Sequence, residues 1–177
     1  MIRLFVALGL PDDIRERLAG LSGGVPGARW VEPHNFHLTL RFIGETEEGR
    51  LEDIDDALRA ISHPPFDLTL EGVGQFGSGR RIHTLWAGVE RSEPLAHLQA
   101  KIESAVVRAG FPPEGRKFTP HVSLARLAGT APDRVMRFLA GNGLFRSRPF
   151  AVTGFALYES RLGRHGADYA EISAYPL

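Results

Sequence analysis

The sequence predicts an α+β, bilobal fold: two pseudo-symmetric, mainly antiparallel sheets facing a central cleft, with helices on the outer faces. Three observations lead there. His37-Leu38-Thr39-Leu40 and His121-Val122-Ser123-Leu124 are nearly one tetrapeptide written twice, 84 residues apart. Each histidine is followed 29 residues later by an apolar strand, one starting at Phe66 and the other at Phe150. Both halves also read in the same order: helix, histidine strand, helix, strand, strand. Residues 1–177 are therefore expected to form a single two-lobed domain built by internal duplication, with no linker or low-complexity tract.

Arg3 to Leu8 is the first strand. Pro11-Asp12-Asp13 opens a helix with proline and acidic residues in its first turn and Ile14, Leu18 and Leu21 at helical spacing. Ser22 to Gly27 is a loop. Arg29–Val31 and Phe36–Ile43 read as strands, the second carrying the first motif. Thr46-Glu47-Glu48 starts a helix with Leu51, Ile54, Leu58 and Ile61 on one face. Strands at Phe66–Val73 and Thr84–Val89 flank a glycine-rich bend around Gln75–Gly79. The second half follows suit. A helix spans Glu93 to Ala109, with Leu95, Leu98, Ile102 and Val106 as its apolar stripe, and the Phe118–Ala125 strand carries the second motif. Pro132-Asp133 opens a helix with Val135, Met136 and Leu139. Strands at Phe150–Tyr158 and Tyr169–Ala174 are joined through Arg161–Gly166, read as a solvated hairpin tip.

Composition excludes several classes. No apolar run approaches the ~20 residues of a membrane helix. The first residues lack the basic region, apolar stretch and cleavage site of a signal peptide. There is no cysteine, which removes disulfides, thiolate catalysis and cysteine-bound metal, and fits a cytoplasmic setting. Net charge is zero, so the chain as a whole is no polyanion-binding surface. Arginine greatly outnumbers lysine, an excess read as codon bias.

Alternate residues of a strand face opposite sides, so His37 and Thr39 share one face, as do His121 and Ser123. A lone strand histidine is ordinarily structural. Recurrence with the same hydroxyl partner in a matching half points instead to a shared cleft. Two imidazoles and two hydroxyls offer an acid–base pair working near neutral pH and donors for the oxygens of a tetrahedral anion. The quartet holds no strong nucleophile. That chemistry suits phosphoryl transfer on an activated substrate such as a strained cyclic phosphodiester. Two imidazoles without acidic neighbours do not make a zinc or magnesium site, so no metal or other cofactor is expected. Arg41, four residues beyond His37, has the strand parity to reach the same cleft. Phe42 is a candidate for stacking on a base, or else a core residue.

Asn35-Phe36-His37-Leu38-Thr39-Leu40-Arg41-Phe42-Ile43-Gly44 and Phe118-Thr119-Pro120-His121-Val122-Ser123-Leu124-Ala125-Arg126 resemble the paired His-x-Thr/Ser signatures of the two-histidine phosphoesterases. Within that superfamily the chain is similar to the bacterial and archaeal RNA 2′,3′-cyclic phosphodiesterases, also called 2′-5′ RNA ligases. The resemblance implies a metal-independent hydrolase that opens a terminal 2′,3′-cyclic phosphate on RNA to a 2′-phosphate, with weak reverse 2′-5′ joining. It makes His37 and His121 the acid–base pair and Thr39 and Ser123 the phosphate donors. It also assigns a substrate contact to Arg126, which an unbroken strand would point away from His121; a bulge or strand end after Leu124 would remove the conflict. The partners expected are RNA ends or nucleotides with a 2′,3′-cyclic phosphate, met by a cytoplasmic monomer without membrane or metal. Alternatives are a phosphodiesterase for 2′-5′-linked oligonucleotides or small cyclic nucleotide phosphates, and a nucleotide-binding module without turnover.

Overall fold

A computed structural model describes residues 1–164 and 166–177, so His165, within the expected hairpin tip, lies outside the described residues. The chain opens with strand β1 (Ile2–Leu8), buried on both faces, and helix α1 (Asp12–Ala19), which turns Ile14 and Leu18 into the core. The short β2 (Arg29–Trp30) precedes β3 (Leu38–Thr46), α2 (Leu51–Arg59), β4 (Phe66–Leu68), β5 (Leu70–Phe76) and β6 (Thr84–Val89). The second half runs through α3 (Glu93–Arg108), whose start is capped by the Ser92 hydroxyl accepting from the Leu95 N–H, and β7 (His121–Arg126). It ends with α4 (Pro132–Asn142), β8 (Phe150–Val152), β9 (Gly154–Gly163) and β10 (Gly166–Pro176).

The α+β class holds, and the two half-sheets are joined rather than separate. Among the described residues they form one antiparallel sheet in the order β10-β9-β1-β3-β7-β6-β5, with β2 also paired to β7. The join between β3 and β7 is a single register pair, Leu38 opposite Val122. A second small sheet pairs β4 with β8, placing Asp67 opposite Ala151. Both pairs match residues 84 apart, so equivalent positions of the two halves face each other across a local twofold axis. The halves are also exchanged. Strands β5 and β6 of the first half flank the histidine strand of the second, while β9 and β10 of the second half flank β1 and, through it, β3.

Several boundaries differ from expectation. Thr46, expected to open a helix, instead ends β3 because it pairs with Ile2; the helix begins at Leu51, after a 3₁₀ turn at Glu48–Arg50. The strands expected over Phe66–Val73 and Phe150–Tyr158 each break after three residues, at Thr69 and Thr153. There the threonine carbonyls accept from Glu90 and Leu177 rather than from a ladder partner (both 2.9 Å). The second motif strand starts at His121 and not Phe118, since Pro120 has no N–H to give a ladder. The β9–β10 hairpin extends well past the predicted ends, to Gly163 and Gly166.

Helices α2 and α3 pack on each other, and α3 packs on β3. Ile54, Leu58, Leu98 and Ile102 are fully buried there, each contributing about 1.5–3 kcal/mol by leaving water. This packing fixes the back of β3 and leaves its other face to the site.

Candidate active site

Two matched bulges set which residues reach the site. Along β3, Arg41 lies opposite Val6 and Thr39 opposite Ala7, leaving Leu40 as an extra residue. Along β7, Ala125 lies opposite Leu85 and Ser123 opposite Trp86, leaving Leu124 extra. Leu40 and Leu124 are themselves 84 residues apart. A bulge shifts strand parity by one. Beyond it, the face carrying His37 and Thr39 continues with Phe42, and the face carrying His121 and Ser123 continues with Arg126. Arg126 thus joins the face from which regular alternation would exclude it. Arg41 goes to the opposite face.

The Leu38–Val122 register carries His37 across from Ser123 and Thr39 across from His121, so the four candidate side chains share one face of two neighbouring strands. Each imidazole is held the same way. His37 Nδ1 lies 2.7 Å from the Asn35 carbonyl and His121 Nδ1 lies 2.7 Å from the Thr119 carbonyl, again positions 84 apart. A carbonyl only accepts, so both Nδ1 atoms carry the proton and both Nε2 atoms present a lone pair to the cleft when neutral. Burial pushes both imidazoles below their ordinary pKa, and the carbonyl bonds oppose that only in part. His37 is lowered further by the charges of His121 and Arg15.

Aromatic rings wall the two histidines. His37 packs on Phe5 (4.9 Å between centroids) and meets the edge of Tyr169 (4.9 Å, 80°). His121 meets Phe76 edge-on (4.8 Å, 88°), with Trp86 behind it at 6.3 Å. Trp86 has room to lie there because its neighbours are glycines: a Cβ on Gly74 would fall 2.4 Å from the indole, and one on Gly88 would fall 3.2 Å from it. The first wall is fastened from the second half, where Asn35 Nδ2 donates to the Ala167 carbonyl of β10 (3.0 Å). Arg126 is exposed, and its positive charge opposes the upward push of burial on the Tyr169 hydroxyl.

A cavity of about 630 Å³ opens beside His121 and Thr39, with Phe42 and Phe76 in its walls and Arg116 and Lys117 among its lining residues. Phe42 is 57% exposed, which removes the core alternative for it. Arg41 also borders this cavity but is 6% exposed. Its guanidinium donates to the Glu103 carboxylate and to the carbonyls of Phe42 and Pro112. The expectation that Arg41 reaches substrate is corrected: the Leu40 bulge turns it inward, and its hydrogen bonds are spent on the protein.

Sequence reasoning thus brought His37, Thr39, His121 and Ser123 together. It missed Tyr169 and Phe76, which come from the exchanged strands. Phe76 falls within the residues read as a glycine-rich bend, and Tyr169 in a strand read only for its alternation, so no local signal marked either. His83 also lies on the cavity wall. Among the described residues, no three His, Asp or Glu side chains converge as a metal site, and no helix is long and apolar enough to cross a membrane.

The sequence profile of the family described as LigT like phosphoesterase matches residues 8–86 and again 88–169. The RNA 2′,3′-cyclic phosphodiesterase of Escherichia coli strain K12 is 32% identical over 180 residues, covering 99% of this chain and 96% of the relative. That of Methanothermobacter thermautotrophicus is 28% identical over 183 residues, covering 99% of both. The crystal structure of E. coli LigT complexed with 3′-AMP superposes with a TM-score of 0.80 at 28% identity, covering 99% of this chain and 98% of that one.

Proposed function

Since the chain belongs to the LigT like phosphoesterase family, we propose that it is an RNA 2′,3′-cyclic phosphodiesterase that opens a terminal cyclic phosphate to a 2′-phosphate without a metal ion. The observation that carries the reading is the twofold-related pair of imidazoles, held by equivalent carbonyls in the same tautomer on either side of two hydroxyls. Phosphate seated between them accepts from Thr39 and Ser123, and Arg126 balances its charge. One imidazole Nε2 takes a proton from the attacking water as the new P–O bond forms. The other, protonated, gives its proton to O3′ as the P–O3′ bond breaks in line. A 5′-hydroxyl in place of water yields a 2′-5′ linkage by the same steps. Phe42 and Phe76, facing one cavity, offer aromatic surfaces for the terminal base.

The reading includes a cytoplasmic monomer: the absence of cysteine supports the compartment, and a site assembled within one chain supports the monomer. Internal duplication accounts for the twofold pairing of equivalent residues. The test is hydrolysis of an RNA oligomer ending in a 2′,3′-cyclic phosphate in the presence of EDTA. Turnover is expected to persist, and His37→Ala and His121→Ala are each expected to lower kcat by ~10²-fold or more. Strict dependence on added metal, or near-normal turnover by either variant, would refute the mechanism.

A further inference from the structure

The segment between α3 and β7 has no regular structure from Phe111 to Pro120, yet it is fastened at two points by a largely buried ion pair. Arg41 donates to both the Glu103 carboxylate and the Pro112 carbonyl, and the other Glu103 oxygen accepts from the Glu114 N–H (2.9 Å). The side chains of Arg41 and Glu103 are 5% and 24% exposed, so this clamp sits inside the protein while the loop it holds sits outside. Arg116 and Lys117 lie just beyond the clamped residues. Both are exposed, both line the cavity that opens at His121, and neither has an acidic partner within ion-pair distance among the described residues. Glu103 contributes little negative charge to the cavity because Arg41 neutralises it. Glu114 is the remaining carboxylate, and its Oε1 accepts from the Arg116 N–H.

We infer that the clamped loop carrying Arg116 and Lys117 is a second phosphate seat, which takes the phosphodiester on the 5′ side of the terminal nucleotide. The inference rests on the proposed activity and narrows its substrate class: the site is built for the end of an RNA strand, and a free nucleoside 2′,3′-cyclic phosphate leaves the second seat empty. The cavity supplies the path. Cyclic phosphate sits at His121 and Thr39, the terminal base lies against Phe42 and Phe76, and the strand leaves past Arg116 and Lys117. Fastening the loop before substrate arrives lowers the ordering cost of holding two long side chains against a flexible strand.

The experiment compares kcat/KM for a short RNA ending in a 2′,3′-cyclic phosphate with that for the matching nucleoside 2′,3′-cyclic phosphate. The protein is tested intact and as Arg116→Ala/Lys117→Ala, with Arg116→Glu/Lys117→Glu as a second variant and circular dichroism to check folding. The wild type is expected to favour the oligomer, and the alanine pair to lower the oligomer-to-mononucleotide ratio about fivefold, the strength of an exposed charge interaction. The glutamate pair is expected to lower it further. In the alanine pair, the salt dependence for the oligomer is expected to flatten by about 0.7 in log–log slope, the amount due to one phosphate of a single strand. A ratio that stays the same in both variants, or a wild type without oligomer preference, overturns the inference while leaving the phosphodiesterase reading intact. Hydrolysis of neither substrate overturns that reading instead.

Discussion

Acidity offers the sharpest test of the imidazole pair. His37 and His121 both titrate below 6.5, the ordinary value for histidine, chiefly because they are buried, and protonating one makes protonating the other harder. The proposed mechanism needs one neutral and one protonated ring, so its active free enzyme is the singly protonated form. Its population peaks midway between the two macroscopic pKa values, which puts the optimum of kcat/KM below pH 6.5. Above the higher pKa only the doubly neutral form remains, so kcat/KM falls about tenfold per pH unit, and that slope is already complete between pH 7.5 and 8.5. Bound phosphate stabilises the protonated ring, so the alkaline limb of kcat itself is displaced upward. The assay is initial-rate hydrolysis of the cyclic-phosphate oligomer from pH 4.5 to 8.5, measured well below and well above KM. Tyr169→Ala opens His37 to water and should shift the kcat/KM profile upward, toward 6.5, whereas Tyr169→Phe should leave it in place. An optimum of kcat/KM at or above pH 7, or a profile that ignores the Tyr169 ring, would refute the argument that burial poises the pair.

Three other substitutions separate chemistry from support. Arg126→Ala removes the charged contact to phosphate proposed above and is expected to lower kcat/KM by about 10- to 100-fold, with no loss of melting temperature beyond a degree or two. Arg41→Ala leaves Glu103 without its partner and should destabilise the fold by about 3 kcal/mol, a drop of roughly 6–12 °C in Tm by calorimetry. Gly74→Ala drives a methyl group into the Trp86 indole and is expected to cost about 1–3 kcal/mol. Because Trp86 backs His121, it should lower kcat as well.

The sequence made the paired motifs legible because a two-residue period and an 84-residue repeat are written in the residues themselves. Strand pattern alone does not reveal the bulges, because an extra residue in a strand is defined only against its partner; the one at Leu124 was raised only because the family resemblance assigned Arg126 to the site, and the one at Leu40 not at all. Leu40 and Leu124 look like ordinary members of an alternating run. Their effect is to interchange the two neighbours that follow: Arg41, read as facing substrate, is buried, while Phe42 and Arg126 come forward. The aromatic walls escaped for a related reason. Tyr169 reaches His37, and Phe76 reaches His121, through strand pairings that connect distant parts of the chain. Only the topology shows that each half braces the other's histidine strand.

That exchange has a consequence for how the molecule comes into being. Strand β1 is paired on one side by β3 and on the other by β9, so the earliest strand made has its second neighbour among the last. A chain emerging from the ribosome can build its first helices and the β5–β6 hairpin early. Tyr169 against His37, and Ala167 over Asn35, must wait for the final hairpin. Such long-range closure slows folding and leaves strand edges open meanwhile. It also means that a partly synthesised chain carries a half-built pair of imidazoles, so competence to act on RNA arrives with the last strands rather than growing with the nascent polypeptide.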